Sequence, residues 1–190
     1  MPIAALCANI SWEAIFAFVH PHSPPQLYIN YAWFGLDAII VFQFLKFGRA
    51  EFPKFSASQF YLVFTFALIM AFCAVLFITY EFEDWKGAYA AFGQNLMMSI
   101  LFIWMFLSRD SIRGQSFYIA LFKMLGTGVS SLAFYLYQPI SQGSLLMPYL
   151  YISIFICDLA YLILIYQRYR KEKIPLLSKL RGIGLKNKKL

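Results

Sequence analysis

Six runs of predominantly apolar residues, each about twenty long, follow one another along this chain with only short polar joints between them. An α-helix rising 1.5 Å per residue needs about 20 such residues to cross the hydrocarbon core of a bilayer. The runs cover residues 2–19, 27–47, 59–80, 87–107, 115–137 and 145–166. Helix breakers sit in the joints: His20-Pro21-His22-Ser23-Pro24-Pro25, then Gly48 to Pro53, then Pro139 to Pro148. Composition agrees. Of 190 residues, 61% are hydrophobic and 13% charged, whereas soluble domains hold about 45–50% apolar and about 25% charged residues. A water-soluble domain of this size could not hide so much apolar surface, and a disordered chain needs low hydrophobicity. The expected fold is all-α: a multi-pass transmembrane helix bundle of six spans over residues 1–167, followed by a basic cytoplasmic tail, 168–190. The start lacks a basic n-region before a short apolar core, so the first run is read as a retained helix and not as a signal peptide.

The net charge of +7 invites a nucleic-acid reading, but the basic residues lie in loops and in the tail and form no binding face. They define topology instead. The second joint carries Lys46, Arg49 and Lys54, the fourth Arg109 and Arg113, and the tail nine Lys and Arg from Arg168 onward. The first and fifth joints carry none, and the third sets Lys86 against Glu81, Glu83 and Asp84. Cationic and non-cationic joints alternate, which supports the count of spans independently of hydropathy. By the positive-inside rule both termini and the two cationic joints are expected on the cytoplasmic side. Cys7, Cys73 and Cys157 all fall in apolar runs, with neither disulfide-framework nor metal spacing.

The charges inside the spans are the informative residues. Three acids, Glu13, Asp37 and Asp158, and one base, Lys123, lie well within apolar runs. A charge in hydrocarbon costs several kcal/mol, so each acid should face the bundle interior and have a role there. A structural polar contact between helices is the alternative, and it weighs most for Asp37. Lys123 is read as snorkelling, its stem lying along the helix and its ammonium reaching the cytoplasmic interface.

Each acid has aromatic company. Asn9 and Glu13 are four apart on one helix face, flanked by Trp12 and Phe16, and Trp33 and Asp37 are likewise four apart. Tyr151, Asp158 and Tyr161 share a face of the last span. Desolvation disfavours the carboxylate anion, so a carboxyl group in a dry aromatic pocket can stay protonated near neutral pH and serve as a general acid. Aromatic π-faces attract cations. Such a set is equipped to protonate an apolar substrate and hold the carbocation that forms. Rings are also common at membrane interfaces and in packed helices, so alone they weigh little.

Asn9-Ile10-Ser11-Trp12-Glu13, Trp33-Phe34-Gly35-Leu36-Asp37 continuing to Leu45-Lys46-Phe47-Gly48, and Asp158-Leu159-Ala160-Tyr161 resemble, in order and spacing, the signature segments of the integral-membrane terpene cyclases. These are small multi-pass enzymes of fungal indole-diterpene and meroterpenoid pathways, with bacterial relatives. The resemblance implies proton-initiated, metal-independent cyclisation of a prenyl chain, often through a terminal epoxide, with no cofactor. It implies Glu13 and Asp158 as the essential acids. It places Asp37 in the Trp-x-x-x-Asp segment. Read from their positions beside these acids, Asn9, Trp12, Trp33, Asp37 and Tyr161 are the expected substrate-binding residues. It further implies a lipophilic substrate, and residence in the endoplasmic reticulum of a fungus or the plasma membrane of a bacterium. Members of the family usually have seven spans. The six counted here leave the one before the first span unaccounted for.

Other chemistries find no support. The Asp-rich metal motif of the diphosphate-ionising terpene cyclases is missing, and Glu81-Phe82-Glu83-Asp84 is read as a solvated loop. His20 and His22 have no third ligand nearby in sequence, and there is no phosphate-binding loop, H-E-x-x-H or G-x-S-x-G. The competing reading is a small transporter or channel whose intramembrane acids relay protons or cations. It expects paired repeats and spans broken at the midplane. No repeat is evident, and only Gly126 and Gly128 interrupt a span.

Overall fold

The computed structural model describes residues 2–108 and 115–173, and all its regular structure is helical. Arg109, Asp110, Arg113 and the tail from residue 174 lie outside the described residues. The elements are α1 (Ile3–Ala14), running into a π-helical turn (Ile15–Val19), α2 (Gln26–Phe47), α3 (Ala57–Glu81), α4 (Ala88–Ser108), α5 (Phe117–Tyr137), the short α6 (Pro139–Gln142) and α7 (Leu146–Lys171). Their ends fall within about two residues of the apolar runs, a normal disagreement for helix termini. The exception is α7, which carries four residues of the expected tail. Its last turn bears Arg168, Arg170 and Lys171, cations that complement the carbonyl end of a helix.

Five helices, α2, α3, α4, α5 and α7, are long and apolar enough to cross a membrane. The first of the six expected spans differs, with 12 residues of α-helix and a 5-residue π turn. It is also the most enclosed. Ala5, Leu6, Cys7, Ala8, Ser11, Ile15, Phe16 and Ala17 are all buried, so its small side chains let neighbouring helices approach closely.

Local chemistry sets the helix ends. Ser56 and Gln59 form a reciprocal capping box at the start of α3, with N–H···O distances of 3.2 and 2.9 Å. Ser116 Oγ accepts the Tyr118 N–H at α5. At α4 the structure corrects the solvated-loop reading. Glu81 and Glu83 are exposed, but Asp84 is buried and its Oδ2 accepts the Tyr89 N–H at 2.8 Å. A carboxylate satisfying the first turn of a helix is stabilised there by the exposed amides and the dipole.

The chain divides into two compact units, Met1–Met98 and Ser99–Leu190. In the first, α1 packs on both α2 and α3. Leu6, Cys7 and Phe64 form one cluster with Val41, Phe44 and Leu68 around them, and Ile15, Phe16, Val75 and Ala90 form another with Trp12 and Phe72. In the second unit, α5 packs on α7, and Ala120, Tyr161, Ile165 and Tyr169 are its buried centre.

The polarity is that of a membrane protein. Phe42, Phe66, Phe77, Trp104, Phe122 and Val129 are each at least 64% exposed. In water such a surface would be an aggregation site, whereas against lipid it is the outer wall. Conversely, the two buried residues of α2 are Asn30 and Asp37. They stand seven apart, two turns along one face; Val41, Phe44 and Leu45 are partly buried against the Leu6 cluster, and many of the helix's other apolar residues are exposed.

Candidate active site

The first unit holds Glu13, Asp37, Asn9 and Trp12. Glu13 lies one turn beyond Asn9 on α1, both half-buried. Its Oε2 is shielded from solvent and has no hydrogen-bond partner among the described residues. Asp37, buried on the facing side of α2, is within electrostatic range of Glu13. A buried carboxyl oxygen without a donor is costly to keep, and such atoms cluster where chemistry uses them.

Trp12 has two tasks. Its Nε1–H donates to Gly87 O at 2.9 Å, fastening the α3–α4 turn, while its ring leans on Phe16 with centroids 4.8 Å apart. Gly87 takes φ +65°, and a Cβ there would lie 2.2 Å from the Phe16 ring and 2.8 Å from Trp12 Nε1, so only glycine fits.

Trp33 is placed differently from its spacing. It is 54% exposed, although Asp37 four residues on is buried. The buried face of α2 is the narrow Asn30–Asp37 line, and at 3.6 residues per turn Trp33 falls to one side of it.

Asn30 was not singled out from the sequence, yet it ties this site together. Its Nδ2 donates to Phe16 O at 3.0 Å and lies 2.9 Å from His22 Nδ1, and its Oδ1 accepts from Gln26 Nε2 at 2.8 Å. His22 stacks on Phe16 with centroids 4.9 Å apart. Its burial beside Phe16 pushes its pKa below 6.5, against the opposing effects of ring N–H donation to the backbone carbonyls of Lys86 and Trp85 and of the charge of Asp84. The π turn belongs to the same assembly, since His20 N bonds back to Ile15 O. The legible signal was the seven-residue spacing from Asn30 to Asp37.

The second unit holds Asp158 and Tyr161. Asp158, 1% exposed, sits mid-way along the buried stripe of α7, Met147, Leu150, Tyr151, Ile154, Asp158, Tyr161, Ile165 and Tyr169. Lys123 does not snorkel. Its Nζ donates to Asp158 Oδ1 at 2.6 Å and to the buried Ser99 Oγ at 2.7 Å, and its side chain is 12% exposed. An intramembrane ammonium is stabilised far more by a carboxylate across the helix interface than by a stretch toward distant water. Asp158 Oδ2 is buried with no partner among the described residues. Tyr161 stacks on Phe102, with centroids 5.4 Å apart.

One turn from this ion pair, α5 and α7 enclose a cleft of about 470 Å³ lined by Met124, Gly128, Leu132, Tyr151, Ile152 and Phe155, among others. Its walls are mostly apolar, with Thr127, Ser131 and Tyr135 among them, and the hydroxyl of Tyr151 is engaged elsewhere. Ser141 Oγ donates to Phe134 O at 2.9 Å, so Tyr151 donates its O–H to Ser141 at 2.7 Å. The volume falls within the roughly 300–1,000 Å³ of small-molecule sites. Among the described residues no three His, Cys, Asp or Glu side chains come together in a way that could hold a metal ion.

A family model described as Pyr4-like transmembrane terpene cyclases matches residues 1–171. The chain is 29% identical over 139 residues to a Pyr4-family terpene cyclase of Annulohypoxylon moriforme, covering 70% of this chain and 57% of that one. It is 29% identical over 130 residues to the asnovolin H synthase of Aspergillus novofumigatus, covering 64% and 52%. A terpene cyclase of Metarhizium anisopliae is 23% identical over 131 residues, covering 67% and 54%. The chain thus spans little more than half the length of these relatives. No solved structure matches it.

Proposed function

Because this chain belongs to the Pyr4-like transmembrane terpene cyclases, we propose that it cyclises the prenyl chain of a lipophilic meroterpenoid or indole-terpenoid substrate, starting by protonation of a terminal epoxide or alkene. The observation that carries this reading is the buried, unpartnered Oε2 of Glu13 within range of Asp37. Two carboxyl groups within electrostatic range of each other and away from water do not readily both ionise, so one of them keeps its proton. Glu13 gives that proton to the epoxide oxygen. The carbon–oxygen bond breaks, a hydroxyl forms, and the cation is attacked by the next alkene of the chain.

Asp158 serves the other end of the reaction, steadying positive charge and accepting the final proton. Trp12 and Tyr161 offer π-faces to the cationic intermediates, each contributing about 0.5–2 kcal/mol, whereas Trp33, exposed on the side of α2, is left out of this set. Trp12 suits this role because its N–H is already engaged by Gly87, which fixes the plane of the ring. In the first unit Asn9 and Asp37 offer polar contacts to the substrate, and in the second the cleft between α5 and α7 offers a seat for hydrocarbon. A dry pocket delays quenching of the cation by water. No metal or organic cofactor takes part in this scheme. The transporter reading of the same acids has no separate observation in its favour.

In this reading the protein lies in the endoplasmic reticulum membrane of a fungus or the plasma membrane of a bacterium, and its Lys and Arg content supports a cytoplasmic C-terminus and cytoplasmic Lys46–Lys54 and Arg109–Arg113 joints. The test is to incubate membranes containing the protein with phenols bearing terminally epoxidised geranyl, farnesyl and geranylgeranyl chains, in heavy water. Cyclised isomers of unchanged carbon skeleton mass are expected only where the protein is present. Wild-type membranes that consume none of these epoxides, nor the parent alkenes, overturn the proposal.

A further inference from the structure

Asp158 is not held as an acid would be. An acid needs its proton; this carboxyl has an ammonium 2.6 Å from one oxygen, and that ammonium is itself braced by Ser99 at 2.7 Å. Within the second unit, the described residues of the helices packed around the pair supply no competing charge. From Ser99 to Ser108, α4 contains no titratable residue, and α5 contributes Lys123 alone to this contact. On α7 itself the titratable neighbours are Cys157 and Tyr161. Asp158 and Ser99 are both buried, so water does not screen the pair.

We propose that Lys123, braced by Ser99, is a positioning residue that holds Asp158 as a carboxylate by Oδ1 and leaves Oδ2 as the atom that takes the last proton of the reaction. The observation is the asymmetry of the two oxygens: Oδ1 is bound at 2.6 Å, and Oδ2 is buried without a partner among the described residues. The step balances. A C–H bond next to the final carbocation breaks, its electron pair becomes the new carbon–carbon double bond, and the proton passes to Oδ2. The carboxylic acid so formed releases that proton to the medium, from which Glu13 is recharged. No electrons are exchanged with any other group. Pairing has a second consequence. The ammonium's charge is cancelled by Asp158, so Lys123 does not repel a cation nearby until Asp158 is protonated, when product must leave.

This inference rests on the cyclase reading, but one of its tests does not. Infrared difference spectra of the membrane-reconstituted full chain, wild type against Asp158→Asn, report whether Asp158 carries a proton. The wild type should lose carboxylate bands and no protonated-carboxyl carbonyl band. Lys123→Met should gain that carbonyl band, and adding Asp158→Asn should remove it. A protonated Asp158 in the wild type overturns the proposal whether or not any substrate has been found, and needs no Lys123 variant to fold.

Turnover of an accepted epoxide supplies the second arm. Lys123→Met should lower kcat about 10²-fold or more with KM changed by less than about threefold, the range seen when a proton-transfer group is lost. Residual product should shift from alkene to water-quenched alcohol. Lys123→Arg, which keeps the charge and can reach Oδ1, should recover activity to within about tenfold. Ser99→Ala should show a smaller fall of about tenfold, the weight of one hydrogen bond to a charged group. Wild-type turnover and product pattern in Lys123→Met, present at normal levels in the membrane, contradict the proposal. If the wild type turns over no substrate, the cyclase reading fails and the spectra still decide the state of Asp158.

Discussion

Replacing Gly87 by alanine should cost this protein roughly 3–5 kcal/mol, and the sum can be worked from three contacts. The backbone there sits at φ +65°, where a residue with a Cβ pays about 1 kcal/mol or slightly more. The new methyl would stand 2.2 and 2.3 Å from two carbons of the Phe16 ring. That ring is wholly buried against Ile15, Val75 and Ala90, so it cannot swing aside freely, and overpacking of this kind costs about 1–3 kcal/mol. The same methyl crowds Trp12 Nε1 at 2.8 Å, against the hydrogen bond that Trp12 makes to Gly87 O. Losing it costs about 1 kcal/mol more. For a chain of this size each kcal/mol moves Tm by about 2–4 °C, so Gly87→Ala should melt roughly 10 °C below the wild type. The assay is thermal unfolding of detergent-solubilised protein followed by fluorescence size exclusion. Gly87→Asn separates the contributions: asparagine tolerates the left-handed backbone but still carries a Cβ, so it should be nearly as damaging. Gly93→Ala is the control, because nothing lies within 4 Å of a Cβ there. A Gly87→Ala protein melting within about 2 °C of the wild type would refute the packing argument.

Further outcomes follow from other parts of the structure. His22 is held neutral by burial, its pKa lowered from 6.5. The unfolded chain therefore binds a proton first as pH falls, and stability should be full above about pH 6.5 and decline below it until the folded state also titrates. His22→Gln should flatten that decline in Tm between pH 7.5 and 5, and an unchanged slope would remove His22 as its source. Gly128→Leu projects into the α5–α7 cleft without touching other atoms at its Cβ. It should raise KM for an accepted epoxide about tenfold or more while leaving Tm in place, and an unaltered KM would exclude the cleft from substrate binding. A cysteine placed at Lys189 should react with a membrane-impermeant thiol reagent only from the cytoplasmic side, as the basic tail requires. Labelling from the opposite side would invert the topology.

How much of this was readable beforehand follows from the physics of each signal. The spans were legible because bilayer thickness imposes a length that no soluble fold imposes, and α2, α3, α4 and α5 begin and end close to the apolar runs. The acids were legible because a carboxyl group in hydrocarbon is conspicuous. What each acid touches was not, because that depends on helix rotation and pairing. Lys123 looked like a snorkelling residue because its nearest water is about nine residues along its own helix, while its true partners, Asp158 and Ser99, lie 35 and 24 positions away in sequence. Trp33 shares a nominal face with Asp37, but it falls to one side of the buried Asn30–Asp37 line and is exposed. Asp84 looked like one of three solvated acids until a helix start needed an acceptor beside it. Asn30 carries no charge and lies near the end of a span, so apart from its seven-residue spacing from Asp37 nothing in the sequence singles it out. Its burial becomes visible only when Phe16 O and His22 come to meet it.

The central claim is that Glu13 delivers the proton that starts a cyclisation, and one substitution tests it most directly. Glu13→Gln keeps the size and hydrogen-bonding capacity of the side chain and removes its acid. Its half-buried position on α1, within electrostatic range of Asp37, is otherwise undisturbed. Initial rates would be measured on membranes normalised for protein level, with the epoxide the wild type uses best and with product identified by mass and retention. The expected result is a fall in turnover of about 10²–10⁴-fold at unchanged membrane abundance and unchanged Tm, the weight of a lost general acid. Cyclisation at the wild-type rate by Glu13→Gln would contradict the assignment of Glu13 and with it the proposed start of the reaction.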